Sequence, residues 1–133
     1  MPFTGFTSEA GEFLWELAFH NEKPWFEAHK GQFLRAVKEP FDALAKETLA
    51  LMRQKHPDEP YSLHISRIYR DARRLFGRGP YKDHLWFTLW TGEERHNSPV
   101  FWFELSPASY NYGVGFYTAT AEQMAALRRY IDA

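Results

Sequence analysis

Cysteine is missing from all 133 positions of the sequence. Its absence excludes disulfide frameworks, cysteine zinc sites, thiolate-held iron–sulfur clusters and thiol nucleophiles together, and suits a reducing compartment. Long apolar runs are missing too, and none approaches the roughly 20 residues that a membrane-spanning helix requires. The opening residues Met1, Pro2, Phe3, Thr4, Gly5 and Phe6 lack the basic-then-apolar layout of a signal peptide. A cytoplasmic protein with no membrane association is therefore expected. Net charge is nearly absent, at a formal −1, which removes polyanion binding by bulk charge alone. There is no internal repeat, low-complexity tract or dividing linker, so 1–133 reads as a single domain. No Gly-x-Ser-x-Gly, no P-loop and no His-Glu-x-x-His occurs, and no two of the six histidines stand four apart. Neither metal nor cofactor is expected.

Aromatic side chains are abundant instead, with 5 Trp, 7 Tyr and 12 Phe. Their first use in a small domain is to fill its core, since each buries a large area. Stacking of a base or sugar on an exposed ring is the alternative. Phe13, Leu14 and Leu17 give a helical stripe that starts at Ser8, an N-cap type with Glu9 and Glu12 in the first turn, and fails near His20. Asn21 suits the cap of a second helix, with Pro24 in its first turn, Trp25 as a core anchor, and Phe26, Phe33, Leu34 and Val37 on its buried face. Pro40 removes a backbone donor, yet no capping residue precedes it, so the pattern predicts a kinked continuation rather than a loop. Phe41, Leu44, Ala45, Thr48 and Met52 carry the helix on to about Lys55, where Pro57 and Pro60 mark its end.

The second half changes period. Strands are expected over 63–69, 85–90, 100–105 and 110–117. In the last of these Tyr110, Tyr112, Val114 and Phe116 share one face, and Asn111, Gly113 and Gly115 the other. Two glycines on one strand face admit a close neighbour, either a packed helix or a ligand. Thr120 suits the cap of a final helix bearing Met124, Leu127 and Ile131. Helices followed by strands on short turns give an α+β fold: N-terminal helices, one kinked at Pro40, pack on one face of a mostly antiparallel sheet of about four strands, with a C-terminal helix last. The sheet's other face is left partly open, where a binding surface can lie.

Charge is distributed unevenly. Between Ser62 and His84 stand Arg67, Arg70, Arg73, Arg74, Arg78 and Lys82 against only Asp71 and Asp83, a local +4 on a chain that is otherwise −5. Arg suits bidentate pairing with phosphate or carboxylate. A Gly77-Arg78-Gly79-Pro80 turn can point N–H groups into a concavity. Tyr69, Tyr81 and His84 add hydroxyls and an imidazole. Arg67, Tyr69, Arg70, Arg73, Arg74, Arg78, Tyr81, Lys82 and His84 are therefore the candidate ligand-binding set, for a phosphorylated small molecule or a nucleic acid. The competing expectation is structural: Arg70 and Arg74 paired with acids such as Asp71, Asp83, Glu27 or Glu104. Glu104, beside Trp102 on an aromatic strand, is the candidate acid or base if the chain is a small enzyme acting on an anionic substrate. A protein-interaction module without catalysis is the third reading.

The ordered segments Phe3-Thr4-Gly5-Phe6, Lys23-Pro24-Trp25-Phe26-Glu27-Ala28-His29-Lys30, Glu39-Pro40-Phe41, Ile65-Ser66-Arg67-Ile68-Tyr69-Arg70-Asp71, Gly79-Pro80-Tyr81-Lys82-Asp83-His84 and Tyr112-Gly113-Val114-Gly115-Phe116-Tyr117 resemble an uncharacterised, mainly bacterial family catalogued as domain of unknown function 2461. The resemblance covers nearly the whole chain. It implies a cytoplasmic protein and brings no activity, cofactor or substrate with it. It also implies a chain shortened at its C-terminus, because members of that family run on further.

Overall fold

The apolar stripe Phe13, Leu14 and Leu17 becomes the buried side of helix α1 (Ser8–Phe19). The structure, a computed structural model, describes residues 2–116 and 118–133. The N-cap of α1 is Thr7, one residue before the expected Ser8, because Thr7 is the last residue with extended backbone. Helix α2 (Lys23–Ala28) follows, with Pro24 in its first turn and Glu22 at the cap. Asn21, expected at that cap, is engaged elsewhere: its amide donates to the Tyr81 carbonyl at 2.8 Å and its oxygen accepts from the Tyr81 N–H at 2.9 Å. One asparagine thereby pins the helical half to the strand half.

Helix α3 (Lys30–Phe33), a π-helical turn (Leu34–Lys38) and helix α4 (Glu39–Lys55) run on as one rod. The expected kinked continuation through Pro40 takes the form of this π turn. Proline has no N–H and its ring would strike the carbonyl four residues back. The wider turn, in which the Glu39 N–H reaches the Leu34 carbonyl, relieves that clash without ending the helix.

Strands β1 (Ser62–Ile65), β2 (Leu85–Trp90), β3 (Pro99–Leu105) and β4 (Tyr110–Phe116) form an antiparallel sheet in the order β1-β2-β3-β4. Tyr117, the expected last residue of that fourth strand, lies outside the described residues. The first strand stops at Ile65 rather than Tyr69. There the Trp86 N–H turns from the ladder to the Ser66 hydroxyl at 2.9 Å. Residues 68–70 then pair with 80–82 through a Tyr69–Tyr81 bridge, which closes a separate small loop.

Leu85, Phe87, Leu105 and the half-buried Leu63, Ile65 and Phe103 face Phe13, Phe33, Val37, Phe41 and Ala45 of the helices to make the core. The helical layer stops short of β4, where Tyr112 and Val114 remain 74% and 57% exposed. Helix α5 (Ala121–Asp132) is held at its start by a Thr120–Gln123 capping box. Met124, Leu127 and Ile131 do form its apolar side, but no residue of α5 is buried. Trp86, Thr88, Trp90, Val100, Trp102 and Glu104 alternate to the opposite sheet face, where Thr88 and Val100 are buried and the other four half-buried. This is the face that the order of elements leaves away from the N-terminal helices, hereafter the open face.

Candidate functional site

Two of the arginines in the basic segment are committed to holding its own backbone, and a third pairs with an acid within it. Arg70 donates from Nε to the Gly79 carbonyl at 3.2 Å and from Nη2 to the Tyr81 carbonyl at 3.0 Å. Arg78 donates to the Leu75 and Arg74 carbonyls at 3.1 and 2.9 Å. Arg73 makes a two-point contact with Asp71, at 3.2 and 3.0 Å. The Gly77–Pro80 turn thus presents the Gly79 carbonyl to a guanidinium group, and the carbonyls of Arg74, Leu75 and Tyr81 on either side of it do the same. Gly77 takes φ +79° and Phe76 +49° to make it, and Gly79 is closed over by Asn21. Tyr81 is 2% exposed and stacks on Phe26 at 4.3 Å; burial, Tyr69 and Glu27 raise its pKa. It belongs to the core. His84 contacts Asp83 at 2.9 Å, which holds the Asp83 carboxyl below its usual range. Arg74 is exposed, with no ion pair among the described residues.

Lys82 and Arg67 differ from these. Arg67 sits over the Tyr69 ring at 5.9 Å. Lys82 reaches over the indole of Trp86 at 5.9 Å, on the open sheet face. Arg95, from the short 3-10 turn Arg95–Asn97 between β2 and β3, meets the same indole at 5.4 Å and that of Trp90 at 5.8 Å. His64 of β1 approaches Trp86 as well, ring to ring at 5.2 Å. Two cations and an imidazole therefore gather around one tryptophan. Among the described residues neither Lys82 nor Arg95 has an ion-pair partner.

Beside this cluster lies a cleft of about 430 Å³, lined by Trp86, Thr88, Arg95, His96, Val100, Trp102, Glu104, Gly115 and Phe116. Its far side is built by Trp102. A Cβ added to Gly113 would meet that indole at 2.6 Å, so the ring lies flat on the β4 backbone, and its Nε1 donates to Asn111 Oδ1 at 3.0 Å. The close visitor to Gly113 is an indole of the neighbouring strand, in place of the helix or ligand that its two glycines had suggested. Two polar atoms on this face, Thr88 Oγ1 and Trp90 Nε1, are buried without a hydrogen-bond partner. Such atoms are uncommon in a finished interior.

A family model described as "Conserved hypothetical protein (DUF2461)" matches residues 9–133. The chain belongs to this family. No curated protein and no solved structure matches it. Two of the segments that carry the likeness meet in space in this DUF2461 chain. The 23–30 segment supplies Phe26 and the 79–84 segment supplies Tyr81, which stack, and Asn21, just ahead of the first segment, is hydrogen-bonded twice to Tyr81.

Electrostatics ties the basic segment to the open face at Lys82. Its pKa is lowered by burial first, then by Arg70 and Arg67. That of His64 is lowered by burial, then by Arg95 and Lys82. Positive charge is concentrated here, with the Glu104 carboxylate at the cross-strand position from Trp86. Glu104, cross-strand partner of Trp86 and Asn111, lines the cleft and makes no hydrogen bond or ion pair among the described residues. It has no contact with His84 or Tyr69 there. Of the sequence-derived set, only Lys82 and Glu104 are brought to the open face, Lys82 over Trp86 and Glu104 in the cleft. Arg95, Trp86, Trp102, Thr88 and His64 were not in that set. Alternation along β2 and β3 puts Trp86, Thr88, Trp102 and Glu104 on one face. That was the available signal, once the helices were assigned to the other face.

Proposed function

We propose that this chain binds a small anionic ligand at the open-face cleft, with Arg95 of its lining and Lys82 beside the neighbouring Trp86 as its charge partners. The observation that carries this reading is the pair of unpaired cations converging on Trp86. An aromatic floor keeps water from one side of both charges, and a desolvated cation gains more from an anion than a solvated one. A volume of about 430 Å³ suits a metabolite, since small-molecule pockets run from roughly 300 to 1,000 Å³. A small molecule is favoured over a nucleic acid because two of the exposed cations that could extend a contact surface, Arg73 and Arg78, are held by Asp71 and by carbonyls.

The test is a titration with ribose 5-phosphate, followed by tryptophan fluorescence and by calorimetry. The wild-type chain is expected to bind it. Lys82→Ala and Arg95→Ala each weaken binding about tenfold or more, the usual consequence of losing a charge-assisted contact. Arg73→Ala leaves it unchanged. Equal weakening by Arg73→Ala, or no heat and no fluorescence change at millimolar ligand, contradicts the reading.

A further inference from the structure

We infer that the ligand of this cleft is a nucleoside monophosphate, a planar ring joined to phosphate through a hydroxylated spacer. The inference rests on the anion-binding reading above and deepens it. Its starting point is the indole of Trp102. One face of that ring lies on Gly113, with Gly115 in contact at its edge. The indole nitrogen is tied to Asn111, so the ring is fixed in its plane. Among the described residues no other ring or cation covers its outer face, in contrast to Trp86, which has Lys82, Arg95 and His64 around it. A half-buried indole, pinned from below and with no ring or cation of the described residues above it, suits a stacking platform.

The span of the site then selects among ring-bearing anions. The cations gather over Trp86 on β2, whereas the Trp102 platform lies over β4, two strands away. Neighbouring strands are about 4.8 Å apart, so the two features are separated by roughly 10 Å. An aromatic carboxylate carries its charge directly on the ring and is too short to use both. A nucleotide, with its sugar between base and phosphate, has the reach. Glu104 stands between the two, on β3. A free carboxylate there repels a second anion and accepts hydrogen bonds from hydroxyls, which is what a ribose offers at that point. The order cations, carboxylate, indole across the sheet thus matches phosphate, ribose, base.

The experiment compares AMP, ribose 5-phosphate and adenosine by calorimetry on the full chain. AMP is expected to bind about tenfold or more tighter than ribose 5-phosphate, in keeping with one stacked base. Trp102→Ala is expected to remove that ratio, bringing AMP down to the affinity of ribose 5-phosphate measured on the same variant; Trp102→Phe keeps most of it. Equal affinity of the wild-type chain for AMP and ribose 5-phosphate overturns the nucleotide inference and leaves the anion reading standing. Binding of adenosine as tight as AMP overturns the anion reading instead. Failure of all three to bind overturns both. The wild-type comparison decides the matter even if Trp102→Ala does not fold.

Discussion

Arg70 and Lys82 show how differently two cations of one basic segment are used. The Arg70 guanidinium is spent on two carbonyls, Gly79 and Tyr81, and so fixes the turn that leads into β2. Removing it takes away the Arg70 donor to the part-buried Gly79 oxygen and leaves the Tyr81 oxygen with the Asn21 amide alone. Arg70→Ala is therefore expected to lower stability by about 1–3 kcal/mol, read as a lower midpoint in urea at unchanged slope. The Lys82 ammonium makes no such commitment among the described residues, and under the proposed function its removal is expected to weaken anion binding. His64 reports on the same field. Its pKa is lowered below the ordinary 6.5, by burial, Arg95 and Lys82. Between that lowered value and 6.5 the unfolded chain binds more protons than the folded one. Stability accordingly decreases as pH falls through this window. A bound anion offsets the two cations, so the NMR-detected pKa of His64 should rise when ribose 5-phosphate is added. An unchanged titration curve would place the anion elsewhere.

At the scale of elements, what was legible in the sequence was periodicity and punctuation. The stripe of Phe13, Leu14 and Leu17, the alternation in 110–116 and the Thr120 cap each depend on near neighbours in the chain, and each is present as expected. The continuation through Pro40 was legible because no capping residue precedes it. That it would take the form of a π turn depends on how the rod packs, which no local pattern records. The caps at Ser8 and Asn21 were misplaced for a related reason. Asn21 has the right chemistry for a helix start, but Tyr81, 60 positions on, offers both a donor and an acceptor to it. The site was the least legible part. The count of arginines in 66–84 drew attention to a segment whose guanidinium groups mostly hold its own loop. The loop cation that does reach the open face, Arg95, sits alone in a polar turn and has no sequence signature. Trp102 counted as one aromatic among 24. Only the register that sets it opposite Gly113 lets its indole lie against the β4 backbone.

Across the whole molecule, the division of labour follows from one-sided packing. The helices cover the sheet face formed by Leu85, Phe87, Phe103 and Leu105, and the other face is left to tryptophans and loop cations. A rigid antiparallel sheet beneath and a polar turn at the rim form a frame that can hold fixed charges apart from their usual partners. No helix among the described residues is long and apolar enough to cross a membrane. The local +4 of residues 62–84 divides between the Arg70, Arg73 and Arg78 contacts, which are structural, and Lys82, which joins Arg95 from outside the segment. The most direct test of this division is an NMR titration of the isotopically labelled chain with ribose 5-phosphate, following backbone amides, indole Nε1–H and arginine Nε–H signals. The account predicts perturbations centred on Trp86, Arg95, Lys82 and Thr88, with the Arg73 and Arg78 signals unmoved. Perturbations confined to residues 71–79, with the indole and Arg95 signals unchanged, would contradict it.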